Sequence, residues 1–128
     1  MKFMADSLED LIVDESEMDR AVLTEILAPY VRLSKGSGQI IPTAAFSELS
    51  AAGKVIVHAL SRKAGCALGI LQGPESATPK EISGATGVKN GTTKPTVVGL
   101  AKKGLLVSEH GRYSVPNHAL PHIREAIK

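Results

Sequence analysis

The sequence predicts a mainly α-helical fold that carries small β-hairpins. Apolar residues recur at helical spacing along most of its 128 residues, and prolines and glycines stand at the ends of these stretches. In residues 78–115, two short helical patterns joined by a glycine-containing turn are followed by the pattern of a tight hairpin. Aromatic residues make up only 3% of the chain, so the core has to be built from Leu, Ile, Val and Ala. This length has room for one domain, or for a small domain with an appendage.

Residues 1–50 form an acidic segment in which we expect helices and one hairpin. A short helix is predicted from Ser7, and a longer one from Ser16, its expected N-cap, to about Ala28, just before Pro29. The apolar stripe of the longer helix is expected to contain Met18, Val22, Leu23, Ile26 and Leu27. The acidic segment is explained either by a protein-binding or autoinhibitory tail or, more plainly, by a solvated helix face.

A β-hairpin is predicted next, because two apolar runs at residues 30–33 and 39–41 bracket a Gly/Ser turn. Gly36 and Gly38 lack the Lys-Ser/Thr pair of a phosphate-binding loop, so a plain turn is the better interpretation. Thr43 is expected to cap a short helix that follows the second strand.

The longest helix is predicted from the N-cap Ser50 to about Ile70 or Leu71. Its expected apolar face contains Val55, Ile56, Ala59, Leu60, Ala64, Ala67, Leu68 and Leu71, with the stem of Lys63 at the edge. Its expected polar side holds Lys54, His58, Arg62 and Lys63. Gly65 and Gly69 either weaken this helix locally or permit close packing, and the pattern does not choose between the two.

A capping pattern predicts a helix of about two turns that begins at Pro79. Thr78 supplies the N-cap oxygen, Pro79 fits the first helical position, and Glu81 stands three residues after the cap. Gly87 is the expected left-handed stop.

A second short helix is expected from near Thr93 to Lys103. Pro95 fits its first turn, where a missing N–H costs little, and Gly104 ends it. The apolar stripe of this helix is expected to contain Val97, Leu100 and Ala101.

The C-terminal part is predicted to form a hairpin and a last helix. Residues 105–107 and 113–115 flank His110 and Gly111, and the glycine suits a two-residue turn with positive φ. A final helix is expected to begin at His118 or Leu120 and to end at Ile127. Its apolar stripe, made of Leu120, Ile123 and Ile127, serves either to dock the helix or to pair with a second copy of the chain.

The net charge of +2 hides an asymmetry between an N-terminal part, residues 1–50, and a C-terminal domain, residues 51–128. The first contains four basic and nine acidic residues, whereas the second contains eleven basic and four acidic residues. A basic domain with this order of helices and hairpin suggests a polyanionic partner. The alternative is a cationic face without a ligand, because such faces are common on soluble domains.

Several other functions find little support in the sequence. His118 and His122 have a spacing that zinc uses, but no cysteine or acidic third ligand accompanies them, so we expect no metal or cofactor. Cys66 and His58 lie two helical turns apart without an orienting acid, so we expect no enzyme. No apolar stretch has the length of a membrane span, and no secretory signal is visible. A single cysteine fits a reducing cytoplasm.

Three stretches resemble the winged helix-turn-helix superfamily of prokaryotic DNA-binding proteins. They are TPKEISGATGV, GTTKPTVVGLAKKGLL and LLVSEHGRYSV, and the resemblance covers about residues 51–116. It implies a winged helix-turn-helix domain, preceded by a helix and a hairpin as an extension. It also implies a recognition helix at about 93–103 in the major groove of DNA and a short wing at 105–115.

The resemblance also implies which residues contact DNA. Threonines and an asparagine would reach base edges, whereas lysines would contact phosphates. The arginine at the wing tip would reach either the minor groove or a flanking phosphate. The implied contact residues are Lys80, Lys89, Asn90, Thr92, Thr93, Lys94, Thr96, Lys102, Lys103 and Arg112. Gly99 stands where such helices often carry a long polar side chain, so base-specific recognition by this helix is expected to be weak.

Two hypotheses of different classes follow. The first is a DNA-binding transcriptional regulator that acts as a homodimer. The second is a winged-helix adaptor that binds protein and not DNA, with the acidic N-terminal segment as a further protein-binding site. A small-molecule sensor lacks a separate ligand domain of adequate size. An RNA-binding role lacks the aromatic side chains that stack on bases.

Overall fold

The computed structural model describes residues 8–12, 15–37, 39–71 and 73–127 and is mainly helical, with two small antiparallel hairpins. A 3-10 turn at Leu8–Leu11 precedes the first helix, and a second one at Asn117–Ala119 precedes the last. The helices are α1 (Glu15–Leu27), α2 (Ala44–Ser47), α3 (Ala51–Ala67), α4 (Pro79–Thr86), α5 (Asn90–Lys102) and α6 (Leu120–Ile127). The strands are β1 (Val31–Leu33), β2 (Ile40–Pro42), β3 (Val107–Glu109) and β4 (Arg112–Ser114). The predicted class, mainly α with small hairpins, is confirmed.

Helix α3 lies at the centre of the molecule, and α1, α4, α5 and α6 pack against it. Val55, Ile56 and Leu60 of α3 are fully buried, as predicted, and so is Val57, which was not expected on the apolar face. Ala67 and Leu68, which were expected on that face, are exposed because they lie at the end of the helix. One hydrophobic cluster joins them to side chains from both parts of the chain, among them Leu23, Ile26, Phe46, Ile82, Val97 and Ile123. Each such Leu, Ile or Val contributes about 1.5–3 kcal/mol by leaving water, so this cluster stabilises the whole arrangement.

Helix α3 begins as predicted but ends earlier. The Ser50 hydroxyl accepts a hydrogen bond from the Gly53 N–H at 3.1 Å, which confirms the N-cap. The helix ends at Ala67 and not at residue 70 or 71, because Gly69 takes a φ of 73° and reverses the chain. A Cβ on Gly65 would lie 3.1 Å from the Leu71 Cβ. Gly65 therefore permits close packing, whereas Gly69 lies beyond the end of the helix, where neither alternative applies.

The capping pattern of α4 is confirmed in full. The Glu81 N–H donates to Thr78 Oγ1 at 3.2 Å, and the Thr78 N–H donates to Glu81 Oε1 at 2.9 Å. Gly87 has a φ of 81° and its N–H donates to the Ser83 carbonyl, so the left-handed stop is also present. Both ends of α4 are thus fixed by local hydrogen bonds.

The hairpin between α5 and α6 turns as predicted, but both of its strands are shifted. His110 and Gly111 both have positive φ, 53° and 76°, which is the conformation of a type I′ turn. The strand expected at residues 105–107 is observed at Val107–Glu109, and the one expected at residues 113–115 is observed one residue earlier, at Arg112–Ser114. The first strand begins later because the Leu105 N–H donates to the Leu100 carbonyl at 3.0 Å, so Leu105 belongs to the C-terminal closure of α5.

Three details of the N-terminal part differ from the sequence prediction. Helix α1 begins at Glu15, so Ser16 lies inside it and is not the N-cap. Thr43 precedes α2 but makes no side-chain cap; its hydroxyl donates instead to the Pro29 carbonyl at 2.7 Å. The short helix expected from Ser7 is a 3-10 turn that begins at Leu8 within the described residues. The side chain of Met18 lies outside the described residues. The hairpin of β1 and β2 is confirmed, with Arg32 opposite Ile41.

The apolar stripe of α6 is used inside the chain. Leu120, Ile123 and Ile127 are each at most 4% exposed and pack into the common core, so the stripe docks the helix onto its own chain.

Over residues 8–12, 15–37, 39–71 and 73–127, no helix is long and apolar enough to cross a membrane. In the same ranges, no three His, Cys, Asp or Glu residues come together as a metal site.

Candidate nucleic-acid interface

Helices α4 and α5 form a pair whose connecting turn is held by side-chain hydrogen bonds. The hydroxyl of Ser83 donates to the Val88 carbonyl at 2.6 Å. The hydroxyl of Thr86 accepts from the Val88 N–H at 3.2 Å and donates to the Ile82 carbonyl. Ile82 of α4 and Val97 of α5 are buried in the core between the helices. The turn therefore fixes the angle at which α5 leaves α4.

Helix α5 begins three residues before the predicted start. Asn90 is its first residue, Lys89 is the N-cap without a side-chain bond, and the N–H groups of Thr92 and Thr93 both donate to the Lys89 carbonyl at 2.9 Å. Pro95 consequently lies in the second turn and not in the first. The helical bond that residue 95 would donate to the Gly91 carbonyl cannot form, and such a proline costs up to about 3 kcal/mol relative to alanine.

Two of the threonines implied as DNA contacts use their hydroxyl groups in hydrogen bonds within α5 and its N-cap. Thr93 is fully buried, and its hydroxyl donates to the Lys89 carbonyl at 3.1 Å, so it does not reach the surface. The expectation that Thr93 touches DNA is therefore corrected. Thr96 is half-buried, and its hydroxyl donates to the Thr92 carbonyl at 2.7 Å. Asn90 and Thr92 remain exposed at the start of the helix.

The five lysines implied as phosphate contacts are all exposed. They are Lys80, Lys89, Lys94, Lys102 and Lys103. In the described part of the chain, none of their ammonium groups forms an ion pair. Between Glu81 and Glu109 the sequence contains no acidic residue. The surface of α5 and of the turn before it therefore carries positive charge with no acidic residue in the same stretch of sequence. A cationic surface is the electrostatic footprint expected for a polyanion site.

The outward face of α5 mixes this charge with apolar and small residues. Lys94, Val98 and Lys102 recur every four residues and so share one stripe of the helix. Val98 is 44% exposed, and a Cβ on Gly99 would meet no atom within 4 Å. Val98 and Pro95 were not expected on this surface. Because Val97 and Leu100 are buried, the helical period puts Val98 and Pro95 on the opposite, outward side of α5, and this signal could have identified them.

Arg112 does not extend from the tip of the hairpin. It is the first residue of β4, and its Nη2 donates to the Ser76 carbonyl at 2.8 Å and to Glu81 Oε1 at 3.0 Å. Its Nε donates to the Ser76 hydroxyl at 3.2 Å. The expectation of a free arginine at the wing tip is thus corrected, because Arg112 ties the hairpin to the start of α4.

Glu81 bonds both to the N-cap of α4 and to the hairpin. Its carboxylate accepts from the Thr78 N–H and from Arg112, and these bonds, with the Thr78 bond first, hold the pKa of Glu81 below its ordinary value. A second link lies nearby, because Ala77 and Tyr113 exchange backbone hydrogen bonds of 3.0 and 2.8 Å. The hairpin is therefore fixed against the start of α4, beside the lysine-bearing helix pair.

Comparison with protein-family models, curated proteins and solved structures finds no match to this chain.

Proposed function

We propose that this chain is a DNA-binding protein with a winged helix-turn-helix domain and that it acts as a transcriptional regulator. Helix α5 is the recognition helix in the major groove, α4 is the helix that supports it, and the hairpin of β3 and β4 is a short wing. The order of α3, α4, α5 and the hairpin supports this assignment. It is also supported by the packing of all three helices around one core.

One observation carries the proposal. The exposed side chains of α5 and of the turn before it include Lys89, Lys94, Lys102 and Lys103, and no acidic residue lies between Glu81 and Glu109. Each lysine that meets a phosphate releases condensed counterions from the DNA, and this is the main source of sequence-independent affinity. Lys80 adds a further charge in the first turn of α4, where the helix N-terminus also favours a phosphate.

The same surface favours contacts with the DNA backbone over recognition of bases. Helix α5 has no arginine, so it cannot make the bidentate contact with guanine that contributes about 1–3 kcal/mol of discrimination. Asn90 and Thr92 are the exposed polar groups that remain for base edges. The methyl groups of Val98 suit contact with a thymine methyl group. Sequence preference then comes from these few contacts, from DNA shape and from the spacing of two subunits.

Charge reversal on α5 tests the proposal. Binding of a fluorescein-labelled duplex is measured by anisotropy for the wild type, Lys94→Glu and Lys102→Glu. Each variant is expected to bind more weakly on every duplex sequence and to lower the salt slope by about 1. Lys35→Glu is the matched control, because Lys35 is exposed in the turn between β1 and β2. An equal effect of all three substitutions would contradict a localised interface.

A homodimer is part of the proposal, because one domain of this size makes a modest interface. Three large apolar side chains before α1 are exposed, namely Leu8, Leu11 and Ile12 at 76%, 70% and 76%. Such side chains suit self-association.

Light scattering behind a sizing column is expected to give twice the chain mass of 13.4 kDa. The Leu11→Asp variant should give the single-chain mass, and a wild type that already elutes as a monomer would remove the dimer from the proposal.

The second candidate function is a winged-helix adaptor that binds a protein. The exposed Val98 favours it, because an apolar side chain between Lys94 and Lys102 suits a protein surface as well as DNA. The two functions differ in one simple result. The adaptor predicts that the wild type binds no duplex at about 50 mM salt, where even non-specific DNA binding is strong.

A further inference from the structure

A cavity of about 460 Å³ lies between the first hairpin, α2, α3 and α4. Its apolar wall includes Ile40, Phe46 and Leu71, and its polar wall includes His58 and Arg62. Gly84 of α4 closes one side. The wall of the cavity is about as polar as it is apolar, and its volume lies within the range of small-molecule sites. The cavity is separate from the lysine-bearing surface of α5.

His58 is the unusual residue of this cavity. It was predicted on the polar side of α3, but the histidine is only 5% exposed. Its Nε2 is buried and has no hydrogen-bond partner among the described residues. A buried polar atom without a partner costs about 1–3 kcal/mol, and most such atoms in folded proteins are satisfied. The position of His58 at the cavity therefore points to a partner that the chain itself does not provide.

The charge state of His58 is set by its surroundings. The pKa of His58 is lowered to about 4, mainly by burial and also by the charge of Arg62, while Glu81 acts in the opposite direction. The imidazole is therefore neutral at neutral pH, with one nitrogen that donates and one that accepts. A ligand that places an anionic oxygen here can accept a hydrogen bond from the imidazole.

Arg62 places a positive charge beside this imidazole, one helical turn further along α3. Its Nε donates to the Glu75 carbonyl at 2.9 Å, and its Nη2 donates to the Pro74 carbonyl. These bonds hold the guanidinium at the cavity and engage two of its five N–H groups at most. Both partners are neutral carbonyls, so the charge of Arg62 is not cancelled by either of them.

We propose that this cavity binds a small carboxylate with an apolar body, whose carboxylate group faces His58 and Arg62. The imidazole and the guanidinium supply donors and positive charge, and Ile40, Phe46 and Leu71 cover the apolar body. A cation is repelled by Arg62, and a neutral molecule of the same shape gains nothing from its charge. Because Gly84 belongs to α4, the bound ligand lies against the helix that supports α5. The proposal does not rest on DNA binding.

A probe series tests the chemistry of the site. Benzoate, benzamide and benzylamine have similar shapes and carry a negative, zero and positive charge. They are titrated into the full-length protein labelled with nitrogen-15, and the imidazole signals of His58 and the amide signals of Gly84 and Ala85 are followed by NMR. Benzoate is expected to give saturable shifts with a Kd on the order of 1 mM, as suits a ligand of this size. Benzamide should bind at least about tenfold more weakly, which is the effect of about 1.4 kcal/mol from the lost charge interaction.

A pair of glycine variants tests the location. Gly84 and Gly99 are both helical glycines at which a Cβ meets no atom within 4 Å, but only Gly84 lines the cavity. Gly84→Leu is expected to abolish the benzoate shifts, and Gly99→Leu is expected to leave them unchanged. The proposal is overturned if the His58 signals do not move with benzoate, if the three probes bind equally, or if both variants bind benzoate like the wild type.

Discussion

The burial of His58 makes a quantitative prediction about the stability of the fold at acidic pH. The pKa of this histidine is about 4 in the folded chain against 6.5 for a free histidine. As the pH falls, the unfolded chain takes up this proton before the folded chain does, so the fold keeps its full stability above pH 6.5 and loses stability below it. The loss develops progressively between pH 6.5 and 4. With 1.36 kcal/mol for each pKa unit, it amounts to about 3 kcal/mol.

The assay is urea unfolding followed by circular dichroism at pH 7 and pH 4. The variant His58→Gln removes the titrating group, and its free energy of unfolding should fall between these pH values by about 3 kcal/mol less than that of the wild type. His118→Gln is the control, because His118 is exposed in the 3-10 turn before α6. Carboxylates titrate in every variant and cancel in the comparison. Equal losses in the wild type and His58→Gln would refute a buried, neutral His58.

Three further predictions concern single side chains. Pro95→Ala should raise the free energy of unfolding by about 1–3 kcal/mol, because alanine restores the backbone bond to the Gly91 carbonyl; an unchanged urea midpoint would place Pro95 in the first turn after all. Thr78→Ala should lower the free energy of unfolding by about 0.5–2 kcal/mol through loss of the cap, and Glu81→Ala should cost less in the Thr78→Ala variant than in the wild type if the two residues form one unit. Ile123→Ala should cost about 2–5 kcal/mol in chemical denaturation, whereas a helix docked only on a second copy would show a concentration-dependent loss.

The features predicted correctly from the sequence are those that short-range chemistry decides. Helix α4 is bounded by a reciprocal cap at Thr78 and a left-handed Gly87, and both act within a few residues. The turn at His110 and Gly111 is decided by the same kind of local conformational preference. These signals predict structure because the hydrogen-bond partners are neighbours along the chain.

The start of α5 was predicted wrongly because the preference of proline for the first helical turn was used, whereas tertiary contacts determine where this helix begins. Pro95 resembles a residue of the first helical turn, yet the helix starts at Asn90 behind a lysine that does not cap it. The turn bonds from Ser83 and Thr86 and the burial of Thr93 favour the earlier start. None of these contacts can be read from helix propensity.

The positions of His58 and Arg112 were predicted wrongly for a second reason. His58 and Arg112 are polar, and a sequence pattern assigns polar residues to the solvent. His58 instead faces a cavity formed by segments far apart in the chain, and Arg112 finds the Ser76 carbonyl and the Glu81 carboxylate. The lysines of α5 are exposed, and none of them forms an ion pair within the described chain, so their exposure agrees with a purely local pattern. Contacts between residues far apart in the chain could thus not be predicted from the sequence.

The proposed function has one most direct test, the salt dependence of duplex binding by the wild-type chain. Anisotropy titrations at several salt concentrations give the logarithm of the binding constant against the logarithm of salt. With five lysines on phosphates, this slope is expected to be about −4 to −5, so binding weakens by about 10²- to 10³-fold between 50 and 200 mM salt. A slope near zero, or no binding at the lowest salt, would contradict the account of α5 as a DNA-binding helix.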